Sequence, residues 1–342
     1  MKIMINPPSN IFYESYYVYG LERLFGREVG FSAKPFLSLN NMPARKGVFC
    51  FVVNDKGSRD GKEKHYAISY NDSYQINDEI YNWCDVYGSV NANFAKTPEK
   101  FHGKLVPLCP SFGIRVWNAP KTVFQALHNV FSSELSTRKL LGKYKRQLQR
   151  LPYSEYLSPI NAQRDDGYVF FLSTLWYSDE WNRNDEGVNA RRANFIHACK
   201  ELDEVDFDGG LVSQGKDRSS EDLFADCLCG SVPLKVWMER TKRSALVFNT
   251  PAFWDCHGWK LGEYLAMGKC IVSTKLSNDL PAPLEHGKNI HFVENDKEAI
   301  KEAVQYIVSH PNYREKLEQG ARAYWEQYGS PVASLRLLGV EK

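Results

Sequence analysis

At 342 residues, 43% of them hydrophobic and 25% charged, the chain has an ordinary globular composition but is too long for one core, so two domains are expected. A net charge of +2 argues against the basic footprint of a nucleic-acid binder, and no run of about 20 apolar residues is available to span a bilayer. The eight cysteines are scattered, and the lone Cys227-x-Cys229 pair lacks the second pair of a zinc site. Reduced thiols, no metal and a cytoplasmic location are therefore expected, with peripheral contact at a membrane left open.

The opening "KIMI" reads as a short strand, closed by Asn6-Pro7-Pro8-Ser9, and the start is not expected to be a signal peptide. Ser9 or Asn10 can cap a helix that runs to Phe25, with Gly26 as its stop. Strands follow at 47–53 ("GVFCFVV") and 65–70 ("HYAISY"), joined by the polar "NDKGSRDGKEK". A helical stretch to Cys84, two short strands ("DVYGSVN", "GKLVPLCP") and a basic helical region at 121–150 complete the first half. Residues 151–167, with Pro152, Pro159 and Asp165-Asp166, read as a linker.

The second half opens on the strand "YVFFLST" at 168–174. A helix at 189–202, the strand "VDFDGGLVS", a helix near 233–242 and the strand "SALVFN" follow, and then come the helix ending at Met267 and the strand "CIVST". Two tail helices from 296 lead to an apolar turn, "PVASLRLLGV". Strands alternating with helices in both halves predict an α/β protein of two Rossmann-like, doubly wound parallel-sheet domains facing a cleft. The expected boundaries are 1–150 for an acceptor-binding domain, 151–167 for the linker and 168–327 for a donor-binding domain, with 328–342 packing back toward the first domain.

The stretch "DCHGWKLGEYLAMGK" at 255–269 carries the chemistry. Its helix starts at Gly258 or Trp259, at the carboxyl end of a buried strand, where open α/β sheets bind ligands. Free N–H groups and the positive dipole end suit a phosphate, and Lys260 adds charge there. Glu263, one turn further on, is placed to accept the two hydroxyls of a ribose. Phosphate and ribose together describe a nucleoside diphosphate; the alternative is a solvated helix edge.

Residues 244 to about 292, with "K-L-x-E-x-L-A-x-G-K-x-I-V-S" followed by a proline-bearing stretch and "H-G-x-N", resemble the donor-nucleotide region of GT-B glycosyltransferases. The resemblance implies GT-B architecture and a Leloir-type transferase whose donor is a nucleotide diphosphate sugar. In the retaining members two acidic residues with seven residues between them mark this region, the first beside the sugar and the second on the ribose. Asp255 and Glu263 have that separation, although the family's first acid is usually a glutamate in a glycine-containing turn. By the same resemblance the "LSNDLPAPLEHGKN" loop lines the donor pocket. The family's glycine-rich first loop is not matched by "NPPSN".

Arg191 and Arg192 open a helix of the second domain, and a guanidinium there could clamp the diphosphate in place of a metal. Lys235 and Arg243 are lesser candidates of the same type. In the first domain Asp72 ends a strand and is the best-placed base for an acceptor hydroxyl, with Glu14 and Asp55 behind it; Asp72-Ser73 could equally cap a helix. His257, beside the helix tip, is the histidine to watch. The expectation is metal-independent transfer of a sugar to a hydroxyl of a glycan or glycolipid, in synthesis of a surface polysaccharide or glycoconjugate, with no bound cofactor. Retention would rest on Asp255 and Glu263, inversion on Asp72. The alternatives are a nucleotide-sugar epimerase of the same architecture and a non-catalytic two-lobed binding protein.

Overall fold

The computed structural model describes all residues except 8–9, 40–42, 44–45, 55–62, 132–136, 158, 160–162, 177–186, 216–217 and 342. The strands are β1 (Lys2–Ile5), β2 (Val29–Phe31), β3 (Val48–Asn54), β4 (Glu63–Ser69), β5 (Val86–Ser89), β6 (Leu105–Pro107), β7 (Tyr168–Thr174), β8 (Asp206–Val212), β9 (Val247–Asn249), β10 (Ile271–Ser273) and β11 (His291–Phe292). The principal helices are α1 (Ile11–Phe25), α2 (Asp78–Trp83), α3 (Ala119–Phe131), α4 (Thr137–Leu148), α5 (Val188–Lys200) and α6 (Arg218–Leu223). They continue with α7 (Leu234–Arg243), α8 (Trp259–Met267), α9 (Lys297–Ser309), α10 (Pro311–Tyr324) and α11 (Pro331–Leu337).

The chain divides into two compact units. One is Met1–Tyr156 with Asn278–Pro283 and Glu326–Lys342; the other is Leu157–Ser277 with Leu284–Trp325. Both are α/β, the class that the alternation of strand and helix predicts.

The first unit is built on a six-stranded sheet in the order β2-β1-β3-β4-β5-β6. Its pairs are parallel except at β3, which runs antiparallel to both β1 and β4. A parallel return needs a crossover of about a dozen residues or more, and only positions 55–62 separate β3 from β4, so a hairpin direction is forced. Val48 to Val53 are all buried, as a strand covered on both faces must be. On this sheet lies α1, whose Tyr16, Tyr17, Val18 and Leu21 are fully buried. It stops at Gly26, whose φ of 56° lies in the left-handed region. Ser9, one of its two expected caps, lies outside the described residues, and Asn10 holds the cap position without a side-chain bond.

Residues 331–337 form a helix where the sequence suggested a turn. Ser330 caps it by accepting from Ala333 N–H at 3.2 Å, and Pro331 occupies its first turn. This helix packs on α1, and the Tyr16 hydroxyl donates to the Gly329 carbonyl. The crossing is close because of Gly20, where a Cβ would meet the Pro331 carbonyl oxygen at 2.6 Å. The region read as helical from 121 to 150 holds the helices α3 and α4.

The second unit holds two parallel sheets, β7-β8 and β11-β10-β9. They meet near their starts: Ala245 N–H donates to the Tyr168 carbonyl at 2.7 Å, and Phe170 N–H to Ser244 Oγ at 2.8 Å. Phe171, Phe195 and Phe248 lock the core, the last two stacked at 4.4 Å. Around them, α9 packs on α5 and α10 on α8. A fully buried Arg314 forms an ion pair with Asp166 at 2.7 Å, and Arg164 donates to the buried Glu318 at 2.8 Å.

Candidate donor site in the second unit

The site is assembled where the chain leaves β7 and β9. Asn189, in the first turn of α5, clamps the segment after β7: its amide donates to the Trp176 carbonyl at 2.8 Å and accepts from Trp176 N–H at 3.1 Å. This fixes the first turn of α5 beside the end of β7. Three residues on, buried Arg192 donates to the Thr174 carbonyl at 2.7 Å. Burial and the neighbouring Arg191 lower its guanidinium to about 10. Arg191 is half-buried, and its guanidinium lies 3.9 Å from the Asp255 carboxylate.

After β9 the chain passes Thr250, whose hydroxyl meets that of Thr274 at 2.8 Å, and makes a short turn over Phe253–Asp255. Trp254 and Asp255 stand at φ values of 54° and 58°. Two adjacent non-glycine residues in the left-handed region store strain of about 1–2 kcal/mol each. Such strain persists only where the surroundings hold it. Here Phe253 stacks on Trp176 at 5.6 Å, and Arg191 faces Asp255. Trp254 is exposed.

Gly258 is the N-cap of α8 in an extended conformation and brings no capping side chain, so backbone N–H groups open the helix. His257, immediately before it, is buried. Trp259 begins the helix half-buried. Lys260 differs from expectation: its ammonium reaches back to the Leu172 carbonyl of β7 and lies over the Phe171 ring, 5.4 Å from its centroid. Burial first, and Arg192 second, lower it to about 7, against the pull of Glu263. Glu263 is buried, one turn into α8, and is the carboxylate of this group.

The structure therefore brings Arg191, Arg192, Asp255, Lys260 and Glu263 into one charged group, with His257, Gly258 and Trp259 at the helix tip. Asp72 is exposed and belongs to the first unit. The helix that follows it, α2, is capped by Asn77, which accepts from Ile80 N–H at 3.0 Å. Glu14 is buried and accepts from the Tyr70 hydroxyl at 2.9 Å, a role inside the fold. Asp55 lies outside the described residues. Lys235 pairs with Glu239 on the surface of α7, while Arg243 bonds Asp165 at 2.8 Å and covers the Tyr168 ring. In the "LSNDLPAPLEHGKN" loop, residues Asn278–Pro283 group with the first unit. Asp279 accepts from Phe94 N–H at 2.7 Å and Asn278 donates to Asn91 at 3.1 Å.

Sequence reasoning passed over the polar ends of β9 and β10, where Asn249 donates to Ser273 at 2.9 Å beneath the Thr250–Thr274 pair. It also passed over His197, whose Nε2 lies 2.6 Å from Asp226 and 3.2 Å from the Cys227 thiol. Among the described residues these three offer ligand atoms within 4.8 Å of one another, a donor set suited to a divalent ion such as zinc. Burial and Asp226 push the Cys227 thiol up to about 12. Lys200 adds a positive charge by donating to the Asp226 carbonyl at 2.6 Å. Among the described residues no helix is long and apolar enough to cross a membrane.

No family model matches the chain, and no curated protein matches it significantly. Solved structures do. A glycosyltransferase from Rickettsia africae is similar at 14% identity and a TM-score of 0.41, over 77% of this chain and 66% of that one, so the chain spans just under two thirds of that protein. Anabaena Alr3699/HepE in complex with UDP is similar at 10% identity and a TM-score of 0.45, over 80% of this chain and 70% of that one. WaaG, a glycosyltransferase involved in lipopolysaccharide biosynthesis, is similar at 14% identity and a TM-score of 0.37, over 79% of this chain and 85% of that one. These are likenesses of fold, and what those proteins bind stays with them.

Proposed function

We propose that the chain is a glycosyltransferase that takes a sugar from a nucleotide diphosphate sugar and passes it to a hydroxyl of a glycan or glycolipid, with the second unit holding the donor. The observation that carries this reading is the buried Glu263 one turn inside α8, charge-coupled to Lys260, below the strained Trp254–Asp255 turn at the end of β9. Glu263 thus stands with the positive Lys260 at the start of the helix, a mixed-charge cluster of the kind that receives a polar ligand. On this reading the N–H groups at Gly258 and Trp259 receive the diphosphate, and Glu263 takes the ribose hydroxyls. Lys260 and Arg191 neutralise the departing phosphate, electrostatic catalysis that needs no metal. Arg192, tied to the Thr174 carbonyl, holds α5 in place. Asp255 stands beside the sugar with its carboxylate oriented by Arg191, and His257 sits at the helix tip as a proton-handling group. Should the reaction invert the sugar, Asp72 is the base.

The test is a thermal-shift panel of UDP, GDP, TDP and CMP sugars, with and without EDTA, on the wild type, Glu263→Gln and Glu263→Ala. A ligand at a hundred times its Kd stabilises the native state by about 2.7 kcal/mol, and one member of the panel should do so with EDTA present. Losing two charge-assisted bonds to the ribose should weaken that ligand about a hundredfold in both variants, with the fold intact. Unchanged affinity of the Gln variant for every nucleotide sugar overturns the reading.

A further inference from the structure

The last turn of α5 and a short turn after α6 meet over three unlike donor atoms. His197 lies in the last turn of α5, and Asp226 and Cys227 belong to the 3-10 turn Ala225–Cys227. His197 Nε2 lies 2.6 Å from Asp226 Oδ2 and 3.2 Å from Cys227 Sγ. A carboxylate and a sulfur thus crowd one nitrogen that can carry a single hydrogen.

The backbone holds this set in place. Cys227 N–H donates to the Phe224 carbonyl at 2.9 Å, and Cys229 N–H to the Leu211 carbonyl of β8 at 2.9 Å. The turn lies against β8 at Gly210, where a Cβ would meet the Cys227 carbonyl oxygen at 2.3 Å. Cys227 is buried, His197 half-buried and Asp226 exposed, so the group is closed beneath and open to water on one side.

Size and charge say which ligand fits. Tetrahedral zinc, with bonds of about 2.0–2.1 Å to nitrogen and oxygen and about 2.3 Å to sulfur, sets such donor atoms about 3.3 to 3.6 Å apart. The nitrogen–oxygen and nitrogen–sulfur spacings have to open by only about 0.7 and 0.4 Å to reach this. A thiolate and a carboxylate bring two negative charges to match those of the ion, and the Lys200 ammonium sits on the Asp226 backbone carbonyl rather than on the carboxylate. Sulfur with imidazole favours zinc over magnesium or calcium, which prefer oxygen. Cys229 lies outside the group, so the Cys-x-Cys pair is not itself the motif; the further ligand comes from His197, 29 positions before Asp226.

We propose that His197, Asp226 and Cys227 bind one zinc ion, with water in the fourth position, and that the ion clamps the turn after α6 to the end of α5. On binding, the Cys227 S–H bond breaks, a sulfur–zinc bond forms and the proton leaves to solvent. This site is independent of the donor-site reading, whose residues on α5 lie in its first turns.

The test is titration of the full chain, untagged and stripped with a chelator, with Co²⁺ and then with Zn²⁺, followed by absorption. One equivalent of cobalt should give the visible bands of a four-coordinate ion and a near-ultraviolet thiolate charge-transfer band, and zinc should erase both. Cys227→Ser should lose the charge-transfer band, and Cys227→Ser and His197→Ala should each bind zinc at least about a hundredfold more weakly. Cys229→Ser should behave as the wild type. Zinc should raise the melting temperature of the wild type and of Cys229→Ser alone. A wild type that shows no one-to-one cobalt spectrum overturns the proposal, as does a charge-transfer band that survives Cys227→Ser or vanishes in Cys229→Ser. So does unchanged zinc affinity in His197→Ala, a half-exposed position whose metal-free melting temperature will show that the variant folds.

Discussion

Lys260 gives the proposed donor site a pH signature that can be worked out in sign and size. Burial and Arg192 lower its ammonium to about 7, so it is charged below neutrality and uncharged above. With a midpoint near 7, about nine-tenths of the molecules carry the charge at pH 6 and about one-tenth at pH 8. On the proposed reading a diphosphate binds the charged form, so its Kd should be nearly flat below pH 6 and rise by up to about tenfold between pH 6 and 8. The probe should be the best nucleotide sugar from the thermal-shift panel, because its esterified diphosphate keeps a constant charge over this range. Isothermal titration calorimetry at half-unit steps would read the slope, and Lys260→Met should bind weakly and without it. Stability should move the other way. The folded-state value lies below that of an exposed lysine, so the cost of burying this charge is full below about 7 and fades as pH rises toward the ordinary lysine range. A Kd that is level or falls from pH 6 to 8, or a slope that survives Lys260→Met, refutes the reasoning.

Two further outcomes follow from the same geometry. Asp255→Gly should stabilise the fold by about 1 kcal/mol, because glycine adopts a φ of 58° without strain, while sugar transfer falls sharply; a melting temperature that drops would show that the turn is not strained. Glu318→Ala should destabilise the second unit by about 3–5 kcal/mol in urea unfolding, since it strips Arg164 of a buried partner beside Lys269 and Arg314, and a change below 1 kcal/mol would refute it.

The elements around the candidate site were legible because each carries a local pattern. "YVFFLST" is an apolar run bounded by turns, and it is β7 to the residue. Gly268 marks the end of α8, where it stands in the left-handed conformation. What composition could not convey is direction and facing. The reversal of β3 follows from the length of its connection to β4, information the sequence contains but a reading of periodicity discards. Strands β2 and β11, three and two residues long, are too short to show a period. The "S-P-V-A" start of α11 is a capping signal that its apolar content hid. In the site, spacing paired Asp255 with Glu263, but the pairing of Asp255 with Arg191 depends on residues 64 positions apart and is visible only in three dimensions.

The close crossing of α1 by α11 has a consequence for how the molecule is made. The Tyr16 hydroxyl and the Gly329 carbonyl it bonds are separated by 313 positions, and the whole second unit is synthesised between them. The trough beside Gly20 that receives Pro331 and Leu335 must therefore stay open while the ribosome delivers every intervening residue. At about 5–20 residues per second, that exposure lasts from roughly a quarter of a minute to a minute. The unit that begins first is completed last, and a nascent chain stalled near residue 325 would present an unfinished apolar groove to any chaperone waiting at the exit tunnel.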